Sequence, residues 1–229
     1  MSTRTRESSR AASEDTRTQI KAAAQMLFAR HGVDAVTVQQ IVSAAGQRNN
    51  AAQHYHFGSK EELIRQMVVD GAAVLDARRR GMLAEIEARG GPASIREILH
   101  VLVMPVIELG DDERWRGYIR FISVLQAYDR KTLRAALNNK WNKGYVACFD
   151  YLKKMLPLPA KLIEQRLILF SIYANAILSA RDAALESKSR SDRLWDQNFT
   201  IDNILDTMEA MITSPPSAPT LTRLRTGKD

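Results

Sequence analysis

The chain has 229 residues, of which 45% are hydrophobic and 26% charged, with a net charge of +7 and a pI near 9.7. That composition supports a real apolar core, and the basic balance admits nucleic acid or an acidic membrane surface as a partner without choosing between them. A single cysteine, Cys148, excludes an intrachain disulfide; the polar start MSTRTRESSRAASEDTR has no signal-peptide core, and no run of about 18 apolar residues predicts a transmembrane helix.

Residues 1–12 read as a flexible basic arm carrying Arg4, Arg6 and Arg10. Such arms can enter a minor groove, although most charged termini are simply solvated. Ser13 or Asp15 can cap the first helix, in which Ile20, Ala24, Leu27 and Phe28 recur at helical spacing. His31-Gly32 ends it, with Gly32 free to turn left-handed. Thr37 and Gln40 form a capping box for a second short helix whose apolar positions are Val38, Ile41 and Val42. Ala45-Gly46 stops it, and a third helix is expected from about Arg48 to Tyr55. Gly58 breaks the chain again. Ser59 with Glu62 then opens a helix reaching to about Arg80 or Glu87. Short helix, Gly turn, short helix is the helix-turn-helix plan, in which the later helix lies in the DNA major groove.

The remaining chain predicts further helices. Ser94 with Glu97 caps an apolar segment through Ile107, which Pro105 should kink or end. Gly110-Asp111-Asp112 reads as a loop. Trp115 to Leu125 and Leu133 to Leu152 each show helical spacing. Pro157 and Pro159 precede a long helix over about 160–187, and a last helix runs over about 194–212. Residues 214–229 carry three prolines and a basic end, and are expected to be a disordered tail.

The stretch TRTQIKAAAQMLFARHGVDAVTVQQIVSAAGQRNNAAQHYHFGSKEELI resembles the DNA-binding region of TetR-type (tetracycline-repressor-like) bacterial transcriptional regulators. The resemblance rests on three elements: Ala-Ala…Leu-Phe…Gly, Thr-Val-x-x-Ile-x-x-Ala-Ala-Gly, and Tyr-His-Phe-Gly-Ser-Lys-Glu-Glu-Leu. It covers about residues 16–65. The interval from Gly46 to Phe57 is one residue longer here than is usual in the family. Tyr55, His56 and Lys60 therefore transfer by their place around Phe57-Gly58-Ser59, and residues 47–53 do not transfer one by one. The resemblance implies a homodimer that binds a palindromic operator, usually as a repressor. It also implies that a small molecule in the C-terminal domain changes the spacing of the two heads.

Arg48, Asn49, Asn50, Gln53 and His54 are side chains of the kind that read base edges, Arg pairing with G and Asn or Gln with A. Gln47 and His56 flank them and join the candidate surface. Tyr55, Lys60 and Thr37 suit phosphate contacts, although the Thr37 hydroxyl is also wanted as the N-cap. Phe57 reads as core. His54 and His56 stand two residues apart and would point to different faces, so no metal site follows. The first 65 residues hold nine Lys or Arg against six Asp or Glu, so placement must add to count.

In the second domain, Met104, Trp115, Tyr118, Phe121, Trp141, Tyr145, Phe149 and Tyr173 would line a pocket for a small apolar or aromatic effector, or else fill the core. Ala174, Ile177, Ile201, Ile204, Leu205 and Met208 on the last two long helices would form the dimer interface; burial within one chain is the alternative.

The expectation is an all-α protein of four parts: the arm at 1–12, a helix-turn-helix DNA-binding domain at 13–60, a helical effector-binding and dimerisation domain at 61–213, and the tail at 214–229. Its expected function is a cytoplasmic DNA-binding transcriptional regulator. The preferred form is a homodimeric repressor released from its operator by a small molecule; an activator or an effector-independent DNA-binding protein is the alternative. A helical enzyme would need an acid, base or nucleophile constellation, and the sequence presents none; no cofactor and no membrane partner are called for. A charge-driven membrane-surface or structural module is the other rival.

Overall fold

The structure is a computed structural model that describes residues 2–47, 56–138, 140–187 and 190–226. Among the described residues every regular element is a helix: α1 (Ser2–His31), α2 (Val38–Ala44), α3 (Lys60–Ala88), α4 (Ile95–Asp111), α5 (Tyr118–Tyr128), α6 (Arg130–Leu137), α7 (Lys143–Met155), α8 (Ala160–Ser187), α9 (Thr200–Thr213) and α10 (Ala218–Thr226). Short 3-10 segments lie at Glu113–Trp115 and Arg190–Asp196. The all-α architecture is as the sequence predicts.

Several boundaries move, each for a local reason. Helix α1 begins at Ser2 rather than near residue 13, because no Gly or Pro interrupts residues 2–31. The expected arm is therefore the first part of α1. Pro105 does not end α4, which continues through Gly110 and Asp111. The single helix expected over 133–152 is two, since Asn138 takes a left-handed conformation (φ 42°) that closes α6, and Asn142 opens α7. Part of the tail is helical: Ser217 accepts from the Thr220 amide at 3.4 Å, and Pro219 falls in the first turn, where its missing N–H costs no bond. No side chain of α10 is buried.

Helix α2 shows both halves of its capping box, the Gln40 amide donating to Thr37 Oγ1 at 3.3 Å and the Thr37 amide to Gln40 Oε1 at 2.8 Å. The Ser59–Glu62 pair supplies only half of one: the Glu62 amide donates to Ser59 Oγ at 3.1 Å, while the Glu62 carboxylate turns to Arg65 and Gln66. Gly32 and Gly46 end α1 and α2 at φ of 80° and 69°, the left-handed region where a Cβ would be strained.

One buried cluster joins both parts of the chain. Ile20, Ala24, Phe28, Ile41, Phe57 and Leu63 fill the head, and Phe28 stacks on Phe121 of α5 with ring centroids 5.8 Å apart. Each such fully buried side chain contributes about 1.5–3 kcal/mol relative to exposure. Helix α3 leads out of the head and packs against α4, α6 and α7, while α8 packs against α5 and α9. The head is thus held at two places, through α3 and through α1 on α5.

Candidate nucleic-acid interface and effector cleft

Residues 48–55, which carry Arg48, Asn49, Asn50, Gln53, His54 and Tyr55, lie outside the described residues. What frames them is well defined. Helix α2 closes at Gly46, whose amide donates to the Ser43 carbonyl at 3.0 Å. Gln47 Nε2 donates to Gln19 Oε1 at 3.3 Å, tying the end of that turn to α1. On the far side His56 and Phe57 are helical. His56 is half-buried, and its ring lies 6.2 Å from that of Phe57. Phe57 is 4% exposed and belongs to the core, as expected, with the cations Arg17 and Lys21 at 5.4 and 5.9 Å from its ring.

The flanking candidates are committed inside the head. Lys60 Nζ donates to the carbonyls of Val33 and Val36, both at 2.7 Å, and lies 5.7 Å from the Phe28 ring. Two of its three N–H groups thereby satisfy the loop between α1 and α2. Thr37 Oγ1 both receives the Gln40 amide and donates to Gln40 Oε1 at 3.1 Å, so its hydroxyl is engaged as the cap. Lys21 pairs with Asp70 at 2.5 Å, Arg17 with Gln66, Arg30 with Glu186, and Arg65 with Glu62 at 2.6 Å. Among the described side chains of the head, every Lys and Arg therefore has an intramolecular partner.

A match to the model of the tetR family of bacterial regulatory proteins spans residues 20–67, from the second half of α1 through the first turns of α3. Over those residues the chain carries the DNA-binding domain of the tetR family. The regulator is accordingly a DNA-binding transcriptional regulator of helix-turn-helix type. Two solved structures resemble it across 88% of the chain. The probable transcriptional regulatory protein RHA5900 is 19% identical, is covered over 99% of its length and gives a TM-score of 0.54. The superantigen PfiT is 17% identical, is covered over 97% and gives 0.47. At these identities the likeness concerns fold alone. A search of curated proteins returns no match.

In the regulator's larger domain the eight aromatic and Met candidates do not line one pocket. Trp115, Tyr118 and Phe121 form one edge-and-tilt cluster, with centroids 5.6 and 6.4 Å apart, beside Phe28. Tyr145 stacks on Phe149 at 4.4 Å, and Phe149 meets Phe170 at 6.0 Å. Tyr173 bonds Thr207 at 2.9 Å, Trp141 lies under Lys140, and Met104 is half-buried against the core. Phe28–Phe121 and Phe149–Phe170 join neighbouring helices while Tyr118–Phe121 and Tyr145–Phe149 each lie along one, so the rings pack as separate clusters.

A cleft of about 250 Å³ opens elsewhere, between α4, α5 and α8. It is lined by Val106, Ile107, Ile119, Leu178 and Leu185 together with Asp111, Arg116, Arg181, Asp182 and Glu186. A separate small pocket of about 10 Å³ beside it touches Trp115 and Tyr118. Arg120 bridges the two α8 carboxylates, holding Asp182 at 2.6 Å through Nε and Glu186 through Nη2. Those carboxyls shift in opposite directions. Burial raises Asp182 above its ordinary range despite Arg120. Burial also opposes charge on Glu186, but bonds from Arg30 and Arg120 outweigh it and hold that group low.

The expected dimer residues also divide. Ile204, Leu205 and Met208 are buried within their own chain, where α9 packs against α4 and α8. Ala174, Ile177 and Ile201 are half-buried against the same core. The open apolar face is instead on α8, where Ile168, Leu169 and Ile172 are 58%, 50% and 44% exposed. Ala176 and Ala180 extend this face at one-turn spacing. Contrary to the sequence expectation, α8 is long and apolar enough by length and composition to cross a membrane, and only 17% of its most apolar window is buried. Its polar groups are nonetheless bonded sideways into the bundle: Ser171 to Tyr145, Asn175 to Gln126, Asp182 to Arg120. The open strip is one face of a packed helix.

Proposed function

We propose that the regulator acts as a homodimer whose two heads read a palindromic operator, and that it represses until a small molecule shifts the heads. The observation that carries the reading is the helix-turn-helix frame, α2 capped by Thr37 and Gln40 and followed by the Gly46 turn, with nine polar or small residues before His56. In that frame Arg48, Asn49, Asn50, Gln53 and His54 read base edges, and Tyr55 grips the backbone. Because the described head cations are internally paired, the reading assigns the charged DNA contact chiefly to Arg48 of the recognition segment. The α8 strip of Ile168, Leu169 and Ile172 is where the second copy docks; its exposed apolar side chains want cover. Residues 13–60 then form the reading head and 61–213 the effector-binding and dimerising body.

Selection of random duplexes by the purified protein at near-physiological salt tests this. One palindrome should emerge, its half-sites separated by about 34–36 Å or a multiple, and Arg48→Ala should lose it. Salt-sensitive binding with no enriched sequence would reduce the head to a basic surface. An operator reporter that falls when the gene is deleted would make the protein an activator.

A further inference from the structure

The cleft between α4, α5 and α8 has an unmet chemical demand. Its interior carboxylates already hold guanidiniums, Asp182 that of Arg120 and Glu186 those of Arg120 and Arg30. Asp111 sits exposed at the rim. Arg181 Nε, in contrast, is sealed from solvent and has no acceptor. Arg181 as a whole is half-buried and lines the cleft, and a guanidinium short of acceptors is best satisfied by an anionic oxygen, here met by its Nη groups since Nε is closed off. The cleft also offers the apolar side chains Val106, Ile119 and Leu178. The cleft volume of about 250 Å³ lies just below the usual range of about 300–1,000 Å³ for ligand pockets.

The same cleft is wired to the head. Glu186 accepts from Arg30 in the last turn of α1. Gln25, 5% exposed, donates from α1 to the Arg116 carbonyl at 2.8 Å, and Arg116 lines the cleft. Gly117 beside it comes so close to α1 that a Cβ would lie 3.1 Å from Met26 Sδ and 3.3 Å from Ala29 Cβ. Residues that wall the cleft thus touch the first helix of the DNA-binding head directly.

We infer that this cleft is the effector site, and that it takes a compact monocarboxylate with an aryl or short alkyl body, the carboxylate on Arg181 and the apolar end against Val106, Ile119 and Leu178. The added negative charge beside Asp182 and Glu186 competes for their guanidiniums and loosens the Arg30–Glu186 tie that steadies α1. The inference rests on the regulator reading only for this second step; binding itself does not require it.

Isothermal titration of the full chain with benzoate, phenylacetate and octanoate, each against its primary amide, tests the site. At least one acid should bind with Kd below about 1 mM. Its amide should bind about tenfold or more weakly, because it loses the charge-assisted bonds. Arg181→Gln should weaken the acid by a similar factor; if that variant does not fold, the acid–amide difference in the unaltered protein decides. No acid binding in this range, equal binding of acid and amide, or full affinity in a folded Arg181→Gln would overturn the assignment. For the coupling, the bound acid should lower affinity for the selected duplex about tenfold, and Arg30→Gln should keep acid binding but lose that drop. An unchanged drop in Arg30→Gln would overturn the route through Glu186. If no duplex is selected at all, the regulator reading fails, while the acid–amide comparison still judges the site.

Discussion

Helices α8 and α9 both carry an apolar stripe, and the stripes are covered differently. On α9, Ile204, Leu205, Met208 and Ile212 are all nearly solvent-free, pressed onto α4 and α8 of the same chain. On α8, Leu162, Leu167, Phe170 and Leu178 are buried likewise, yet Ile168, Leu169 and Ile172 on another face stay open. A helix of one-sided hydrophobicity closes its own domain. A helix apolar over most of its circumference has a second face left for a partner. Periodicity therefore shows that a stripe will be covered, but not by which chain.

The largest effect should come from the closed stripe. Met208→Ala removes a side chain with no exposure and should cost about 2–5 kcal/mol. Denaturant unfolding would show it as a lower midpoint at unchanged protein concentration; a midpoint shift under about 1 kcal/mol would mean that α9 is loosely docked.

A somewhat smaller loss is expected where α7 meets α3. A Cβ on Gly144 would stand 2.8 Å from Arg79 Cβ and 3.2 Å from the Arg80 amide, and the Gly144 amide donates to buried Asp76 at 2.7 Å. Gly144→Val should cost about 1–3 kcal/mol by overpacking, visible as a lowered Tm. An unchanged Tm would show that the two helices can part without penalty.

The smallest effect lies on the solvated face of α3. Bonds from Arg65 and Gln66 lower the Glu62 carboxyl from 4.5 to about 2. A depressed folded-state pKa adds stability that is present above pH 4.5 and lost as pH falls toward 2. Because the pair is solvent-exposed, Glu62→Gln should cost under about 1 kcal/mol at neutral pH. The difference between variant and parent should shrink on acidification in paired pH-dependent unfolding curves. A difference that grew on acidification would contradict the assigned bonds.

Much of this fold was legible because it is local. The Thr37–Gln40 box, the Ser94 cap and the Pro159 boundary of α8 depend on residues three or four apart, and each stands where the spacing put it. The bonds of Lys60 were not legible because its two carbonyl acceptors lie 24 and 27 residues earlier in sequence; only the folded head brings them together. The aromatic candidates divide into separate clusters, since composition does not say which rings face one another. The Arg181 cleft was marked in the sequence only by Trp115 and Tyr118 beside it, since its own walls come from three helices. The extended reach of α1 had a signal in the uninterrupted residues 2–31, outweighed by their polarity.

The most direct test of the account is the mass of the protein on and off the selected duplex, for the parent and for Ile168→Asp combined with Ile172→Asp. The account predicts a dimer for the parent and a folded monomer of undiminished helix content for the double variant, with affinity for the palindrome reduced to that for a single half-site. A double variant that remains dimeric and binds the palindrome as tightly as the parent would contradict it, and would place the partner on another face.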